Sequence, residues 1–343
     1  MPVTALKPVD QPESANLEGL TRVYKALADE LRLEILRLLK TESFGVLEIC
    51  RVLDIRQSAL SHHLKILANA GLVSTRREGN SIFYRRPLIV ASDPLAELKN
   101  SAFNAIDLLP LPAATLERVE LIHRERSQQS LDFFRRNAAK FREQQGLIAE
   151  YRQYAGSLED LIGGLGFRRS PPAVMEVGPG GGDLLLFLAS HFEQVIALDN
   201  SREMLEQARH TIAASGVDNV KFIHGDITRA PSPEPHCDLI ILNMVLHHIP
   251  APVEVFREAR RLLNPDGILL IVELISHDQD WVRESCGDLW LGFDAHDLDG
   301  WATEAGLAVD QSLFLGLRNG FQIQVRLFVN GVPDMVSASN SDQ

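Results

Sequence analysis

Between Val174 and Asp183 the chain reads VMEVGPGGGD, an apolar run that breaks into four glycines within five positions and ends on an aspartate. A strand, a glycine turn and a helix start in that order present backbone N–H groups to a polar ligand. A dinucleotide fold places its third glycine where Asp183 stands, and a carboxylate there opposes a pyrophosphate. A ligand that carries a positive charge and no phosphate tolerates it, and the acidic Glu176 at the strand end points the same way. Further on, VIALDNSREML puts Asp199 at a second strand end, 23 residues after Glu176, where its two oxygens can accept both hydroxyls of a ribose. FIHGDIT puts Asp226 after a third strand, where a carboxylate can accept from an adenine amino group while Ile227 packs on the ring.

These residues need a scaffold that brings several strand ends together. From about residue 172 apolar runs (AVMEV, VIALD, VKFIHGD, DLIILN, ILLIVEL) alternate with helical stretches, which predicts a C-terminal α/β doubly wound, Rossmann-like parallel sheet. A chain of 343 residues is long for one domain, and the N-terminal part differs in kind. YKALADELRLEILRLL sets Tyr24, Leu27, Leu31, Ile35, Leu38 and Leu39 on one helical stripe. Val46 to Leu53 then forms a short helix, Asp54-Ile55-Arg56 a tight turn, and QSALSHHLKILANAG a second helix with Ala59, Leu60, Leu64 and Leu67 inward. That leaves Gln57, Ser58, Ser61, His62 and Lys65 outward, types that read base edges and phosphates from a major groove. Glu78-Gly79-Asn80 turns one strand-like run into another, with Arg76 and Arg77 before it and Arg85 and Arg86 after it, all placed to touch a DNA backbone or minor groove. An α+β winged helix-turn-helix is the expectation.

Charge supports this division. The protein is acidic, with a formal net charge of -12, yet residues 51–90 hold seven basic residues against Asp54 and Glu78. The expected organisation is a disordered arm over 1–17, the winged helix over 18–92, a helical connector over 93–150 that is either a solvated spacer or a dimer-forming element, the α/β domain over 151–330 and a disordered tail over 331–343. Three scattered cysteines, Cys50, Cys237 and Cys286, read as reduced thiols. The polar N-terminus and the lack of an 18-residue apolar run predict a cytoplasmic protein with no membrane partner.

From Lys25 to Arg86 the pattern KALADxxRLxIL, SxxSxHLxxLxxAGLV and RREGxxxxY resembles the ArsR/SmtB family of dimeric winged-helix repressors. The resemblance implies a homodimer on double-stranded operator DNA. Many members hold thiophilic ions through a Cys-Val-Cys pair. Here Gly45 and Leu47 stand at those positions, Cys50 falls at a small inward-facing site, and His62 and His63 point about 100° apart. No metal site is expected, so another effector is needed.

The motif set from 150 to 330 resembles the class I S-adenosylmethionine-dependent methyltransferases. That implies a seven-stranded sheet with an antiparallel strand, and a pocket for S-adenosylmethionine or S-adenosylhomocysteine lined by Glu176, Gly178, Gly180, Asp199, Asp226 and Asn243. A nicotinamide fold is the alternative, and the elements Leu263-Asn264-Pro265-Asp266-Gly267 and Leu246-His247-His248 argue against it. The His pair reads as a structural pocket edge, or as a base or ligand. Asn243 lacks the Pro-Pro-Tyr of amino-methylating enzymes, the thiols are too few for arsenite chemistry, and no catalytic residue is assigned. Trp290, Phe293 and Asp294 either line an acceptor site or pack a helix on the sheet. Two functions follow. The first is a transcriptional repressor whose nucleoside pocket senses its effector, as in S-adenosylhomocysteine-responsive regulators of the methionine cycle; the second is a small-molecule methyltransferase with a fused regulatory domain.

Overall fold

The computed structural model describes residues 17–78, 81–229 and 235–331. The chain divides into two compact units, the first ending at Ile122 and the second beginning at His123. Most of the expected arm and tail, and the Gly79-Asn80 turn, lie outside the described residues.

The first unit opens with two helices, α1 (Leu17–Leu27) and α2 (Glu30–Leu38), where the apolar spacing predicts one stripe. The difference comes from Asp29, whose carboxylate caps α2 by accepting from Arg32 N–H at 3.0 Å. Arg32 is buried, and its guanidinium donates back to Ala26 O at 2.7 Å and Lys25 O at 2.9 Å, satisfying carbonyls that the end of α1 leaves open. The break turns Tyr24 outward, 56% exposed, and Val23 and Ala26 inward. Next come β1 (Phe44–Gly45), α3 (Val46–Leu53), α4 (Gln57–Asn69), β2 (Ser74–Glu78), β3 (Ser81–Arg85) and α5 (Ala96–Asp107). Asp54 ends α3 with φ 56°, which redirects the chain into α4. The strands form an antiparallel sheet in the order β1-β3-β2. Ile35, Leu36, Ile49, Val52, Leu60, Leu64 and Leu67 make the core.

A long helix, α6 (Ala113–Gly146), carries residues of both units. The second unit continues with α7 (Ala155–Gly163), β4 (Ala173–Val177), α8 (Asp183–His191), β5 (Gln194–Asp199), α9 (Arg202–Ala214), β6 (Val220–His224) and β7 (Cys237–Asn243). It ends with α10 (Pro252–Leu262), β8 (Leu263–Leu274), α11 (Trp281–Cys286), α12 (Ala295–Ala305), β9 (Ala308–Gly316) and β10 (Gln322–Val329). Its seven-stranded sheet runs β6-β5-β4-β7-β8-β10-β9, parallel except where β10 lies antiparallel between β8 and β9. The central strands are buried and mostly apolar, as in a parallel sheet covered on both faces. Strand order reverses between β4 and β7, and at such a switch the loops leaving two neighbouring strands part to open a crevice.

Arg32 is the joint between the first two helices. Arg32→Ala leaves two buried carbonyls without donors, and the expected loss of about 2 kcal/mol accelerates hydrogen exchange of α1 and α2 amides roughly thirtyfold. Unchanged protection would mean that packing alone joins them.

Candidate functional site

The crevice is a cavity of about 560 Å³ in the second unit. On one side β4 delivers the glycine turn. Gly178 has φ 66°, and a Cβ there would stand 2.3 Å from Val245 Cγ2, so only glycine lets the loop after β7 close on the turn. Gly180 and Gly182 also have positive φ, and Gly182 leads directly into α8 with Asp183 at its first position. Thr211 Oγ1 donates to Gly181 O at 2.9 Å and ties the turn to α9.

Gly178, Gly180, Asp199, Asp226, Ile227 and Asn243, six of the seven expected cofactor residues, line this cavity together. Glu176 lies behind them, 1% exposed, with Oε2 lacking a hydrogen-bond partner. Burial, then the neighbouring Asp183 and Asp199 charges, push its carboxyl up to about 8. Burial likewise raises Asp199 to about 7 against hydrogen bonds from the Ser201 and Asn200 backbone. One Asp199 oxygen, Oδ1, accepts from Ser201 N–H at 2.8 Å, while the Ser201 hydroxyl caps α9 through Met204 N–H. Asp226 is oriented in the same manner, its Oδ1 accepting from Thr228 N–H and Oγ1–H, both at 2.9 Å. Among the described residues the charged groups on the wall are Glu143, Glu150, Asp183, Asp199 and Asp226 against Arg152, an acidic excess.

The opposite wall is one that the motifs do not announce. Phe134 and Phe141 of α6 pack edge to face at 5.2 Å and form a small apolar cluster with Met204. Their seven-residue spacing on a helix was the available signal. Tyr154, in the turn between α6 and α7, donates its hydroxyl to Asn243 Oδ1 at 3.0 Å, and no motif marks it.

The His pair splits into two roles. His247 Nδ1 meets Glu273 Oε1 at 2.7 Å and its Nε2 lies 3.9 Å from Asp288. Burial works against a charge there, and the two carboxylates override it, raising His247 to about 9. His248 lines the cavity; burial first, then the His247 charge, push it well below 6.5. His247, His248 and Asp288 bring one ligand atom each within 4.8 Å of one another. The His247 contact to Asp288 at 3.9 Å suits an ion pair, and neutral His248 lies 4.0 Å from the same carboxylate; two ligands of a tetrahedral zinc lie about 3.4 Å apart. Trp290 and Phe293 are buried and do not line the cavity. Trp290 Nε1 donates to Ile249 O at 2.8 Å under the Arg126 guanidinium, and Phe293 packs on Trp301, while Asp294 starts α12. Of the two readings for this segment, packing is the one observed.

In the first unit Gln57, Ser58, Ser61, His62 and Lys65 are all exposed along α4. Ala59, expected inward, is exposed as well, because it precedes the buried arc of Leu60, Leu64 and Leu67. His63 turns instead toward Asp29, at 3.5 Å. Arg76 opposes Phe83 and Arg77 opposes Ile82, so strand alternation sends them to opposite faces; Arg77 is exposed and Arg76 half-buried. Arg86 is a correction: its Nε donates to Leu36 O at 2.6 Å, its NH2 to Asp107 at 2.7 Å, and it stacks on Phe103, so it braces the core and is withdrawn from any duplex.

Residues 29–75 match the family described as bacterial regulatory protein, arsR family, and residues 175–271 match a methyltransferase domain. The chain therefore joins an ArsR-family DNA-binding region to a methyltransferase domain. It is 47% identical over 60 residues to the transcriptional activator HlyU of Vibrio cholerae, covering 18% of this chain and 56% of that one. It is 29% identical over 138 residues to the uncharacterized methyltransferase YcgJ of Bacillus subtilis, covering 36% of this chain and 54% of that one. The chain thus spans about half the length of each of these two relatives. The N-methyltransferase NodS of Bradyrhizobium japonicum, solved with S-adenosylhomocysteine, superposes with a TM-score of 0.47 at 16% identity, over 59% of this chain and 98% of that one. Among the described residues no helix is long and apolar enough to cross a membrane.

Glu176 gives a stability prediction. Its folded pKa of about 8 lies above the 4.5 of the unfolded chain, so the native state loses stability as pH rises through that window. Glu176→Gln is expected to stabilise the ligand-free second unit by roughly 4–5 kcal/mol at pH 8.5 and by under about 0.5 kcal/mol at pH 4.5. Urea unfolding followed by tryptophan fluorescence reads this unit, which contains Trp281, Trp290 and Trp301. A gain equal at both pH values would remove the charge explanation.

Proposed function

We propose that this protein is a transcriptional repressor, acting as a homodimer on double-stranded operator DNA, and that its methyltransferase domain binds S-adenosylmethionine or S-adenosylhomocysteine as effector. The observation that carries the ligand reading is the acid-lined cavity behind a glycine turn. It repels a pyrophosphate and favours a nucleoside that carries an ammonium group and no phosphate. Asp199 is assigned to the ribose hydroxyls, Asp226 and Ile227 to the adenine, Gly178 and Gly180 to the amino-acid end, and Asn243, steadied by Tyr154, to the edge beside the sulfur. Glu176, behind the wall, is assigned no contact with the ligand and carries a proton near neutral pH. In the ArsR-family region Gln57, Ser58, Ser61 and His62 are assigned to base edges, Lys65, Arg76 and Arg77 to phosphates. The effector reading draws support from α6, which lines the cavity with Phe134 and Phe141 and carries residues of the DNA-binding unit as well.

One observation favours turnover as a second reading. The cavity continues past the nucleoside residues to Phe134, Phe141 and His248, space that a sensor of one nucleoside leaves unused. S-adenosylmethionine supplies an electrophilic methyl group, and alignment of an acceptor by these side chains could carry much of the rate.

Asp199→Ala is expected to abolish nucleoside binding by calorimetry and to leave DNA affinity intact but unresponsive. Fluorescence anisotropy with a duplex selected from random sequence by the wild-type chain tests this. DNA affinity that is the same with and without either nucleoside would sink the effector reading. Because HlyU is named an activator, a reporter placed behind the selected duplex decides the sign of the response. Lys65→Ala should weaken selected and random duplexes alike and reduce the salt slope of binding by about 1, whereas Gln57→Ala should cost discrimination between them.

A further inference from the structure

The wall of Phe134, Phe141 and His248 has a feature that the nucleoside reading leaves unexplained. His248 is 6% exposed and lines the cavity. Its Nδ1 lies 3.2 Å from Gly287 O, and a carbonyl can only accept, so Nδ1 carries the proton and Nε2 is left with a lone pair. Among the described residues Nε2 has no hydrogen-bond partner. Nε2 is not fully buried, so it is open to the cavity that His248 lines, where a bound donor can reach it.

The surroundings restrict the donor. The His247 ring lies 4.2 Å from His248 and is held cationic by Glu273 and Asp288, which disfavours an ammonium donor. Acidic residues on the cavity wall disfavour an anion. A neutral donor remains, O–H or N–H. The Phe134 ring stands edge to face on His248 at 4.9 Å, Phe141 lies 6.2 Å away, and Ile249 and Pro250 continue the apolar surface. Such ring-lined walls take up a flat aromatic body by offset or edge-to-face contact.

We propose that this wall is a second ligand seat, for a neutral aromatic molecule bearing a hydroxyl group whose O–H donates to His248 Nε2. The inference rests on the reading that the remainder of the cavity holds S-adenosylmethionine or S-adenosylhomocysteine, and it names the class of molecule that lies beside it. Under the second reading above, that molecule is the methyl acceptor; under the first, it is a co-effector.

The test uses the full chain saturated with S-adenosylhomocysteine, with 4-fluorophenol and 4-fluoroanisole titrated separately and read by fluorine NMR. The two probes share ring and oxygen and differ in the hydroxyl proton. Saturable 4-fluorophenol binding about tenfold tighter than that of 4-fluoroanisole is expected. His248→Phe, which keeps an aromatic ring in the wall, should equalise the two while retaining S-adenosylhomocysteine affinity, the check that the variant is folded. Equal affinities on the wild type, absence of saturable phenol binding, or discrimination that survives in His248→Phe overturns the proposal. Calorimetry with S-adenosylhomocysteine alone is run first. If that ligand fails to bind, the nucleoside reading falls, and the same phenol-to-anisole comparison on the nucleoside-free chain still decides the seat.

Discussion

The second unit depends on one close approach, Val245 against the bare Cα of Gly178. Adjacent parallel strands β4 and β7 must both end at the crevice, and their loops compete for the space above it. With φ at 66° and no side chain, Gly178 yields that space to Val245. The turn then curls away with Gly180 and Gly182, α8 starts on Asp183, and Asn243 and His248 are set on the facing loop. Any Cβ at 178 pushes these two loops apart, so the site and the fold at the switch point are one constraint.

Local chemistry was legible where a residue's role is decided by its own strand. Asp199 and Asp226 follow apolar runs and reach the cavity because a parallel strand delivers whatever comes after it to the same edge. Glu176 sits one residue earlier than the exit, and the same geometry puts it inside the sheet. The far wall was not legible: Phe134, Phe141 and Tyr154 come from segments whose charge and spacing describe a surface helix, and only tertiary placement turns their rings toward Asn243 and His248. The single stripe from Tyr24 to Leu39 failed for a different reason. Its apolar spacing continues across Asp29, but a capped carboxylate backed by a buried arginine outweighs a helical period.

Buried charge is handled in two ways within the second unit. Around His247, an imidazolium lies between the carboxylates of Glu273 and Asp288, and Glu273 also accepts from the backbone at His247 and Leu274. Around Glu176 the charged neighbours among the described residues are Asp183 and Asp199, and the cost is met by proton uptake near neutral pH. The first arrangement stiffens a loop; the second leaves a site whose protonation a bound cation can replace.

The position of Arg86 reaches further than the core it braces. Protein–DNA affinity grows with the number of condensed cations that a protein displaces from the phosphates, about 0.9 per neutralised phosphate. Counting every arginine of the hairpin overstates that number, because Arg86 is bound to Leu36 O and Asp107 and strand alternation separates Arg76 from Arg77. An acidic chain whose Arg86 is held in its own interior offers one cation fewer to any duplex, so under the proposed DNA-binding reading more of the recognition falls to the exposed side chains of α4.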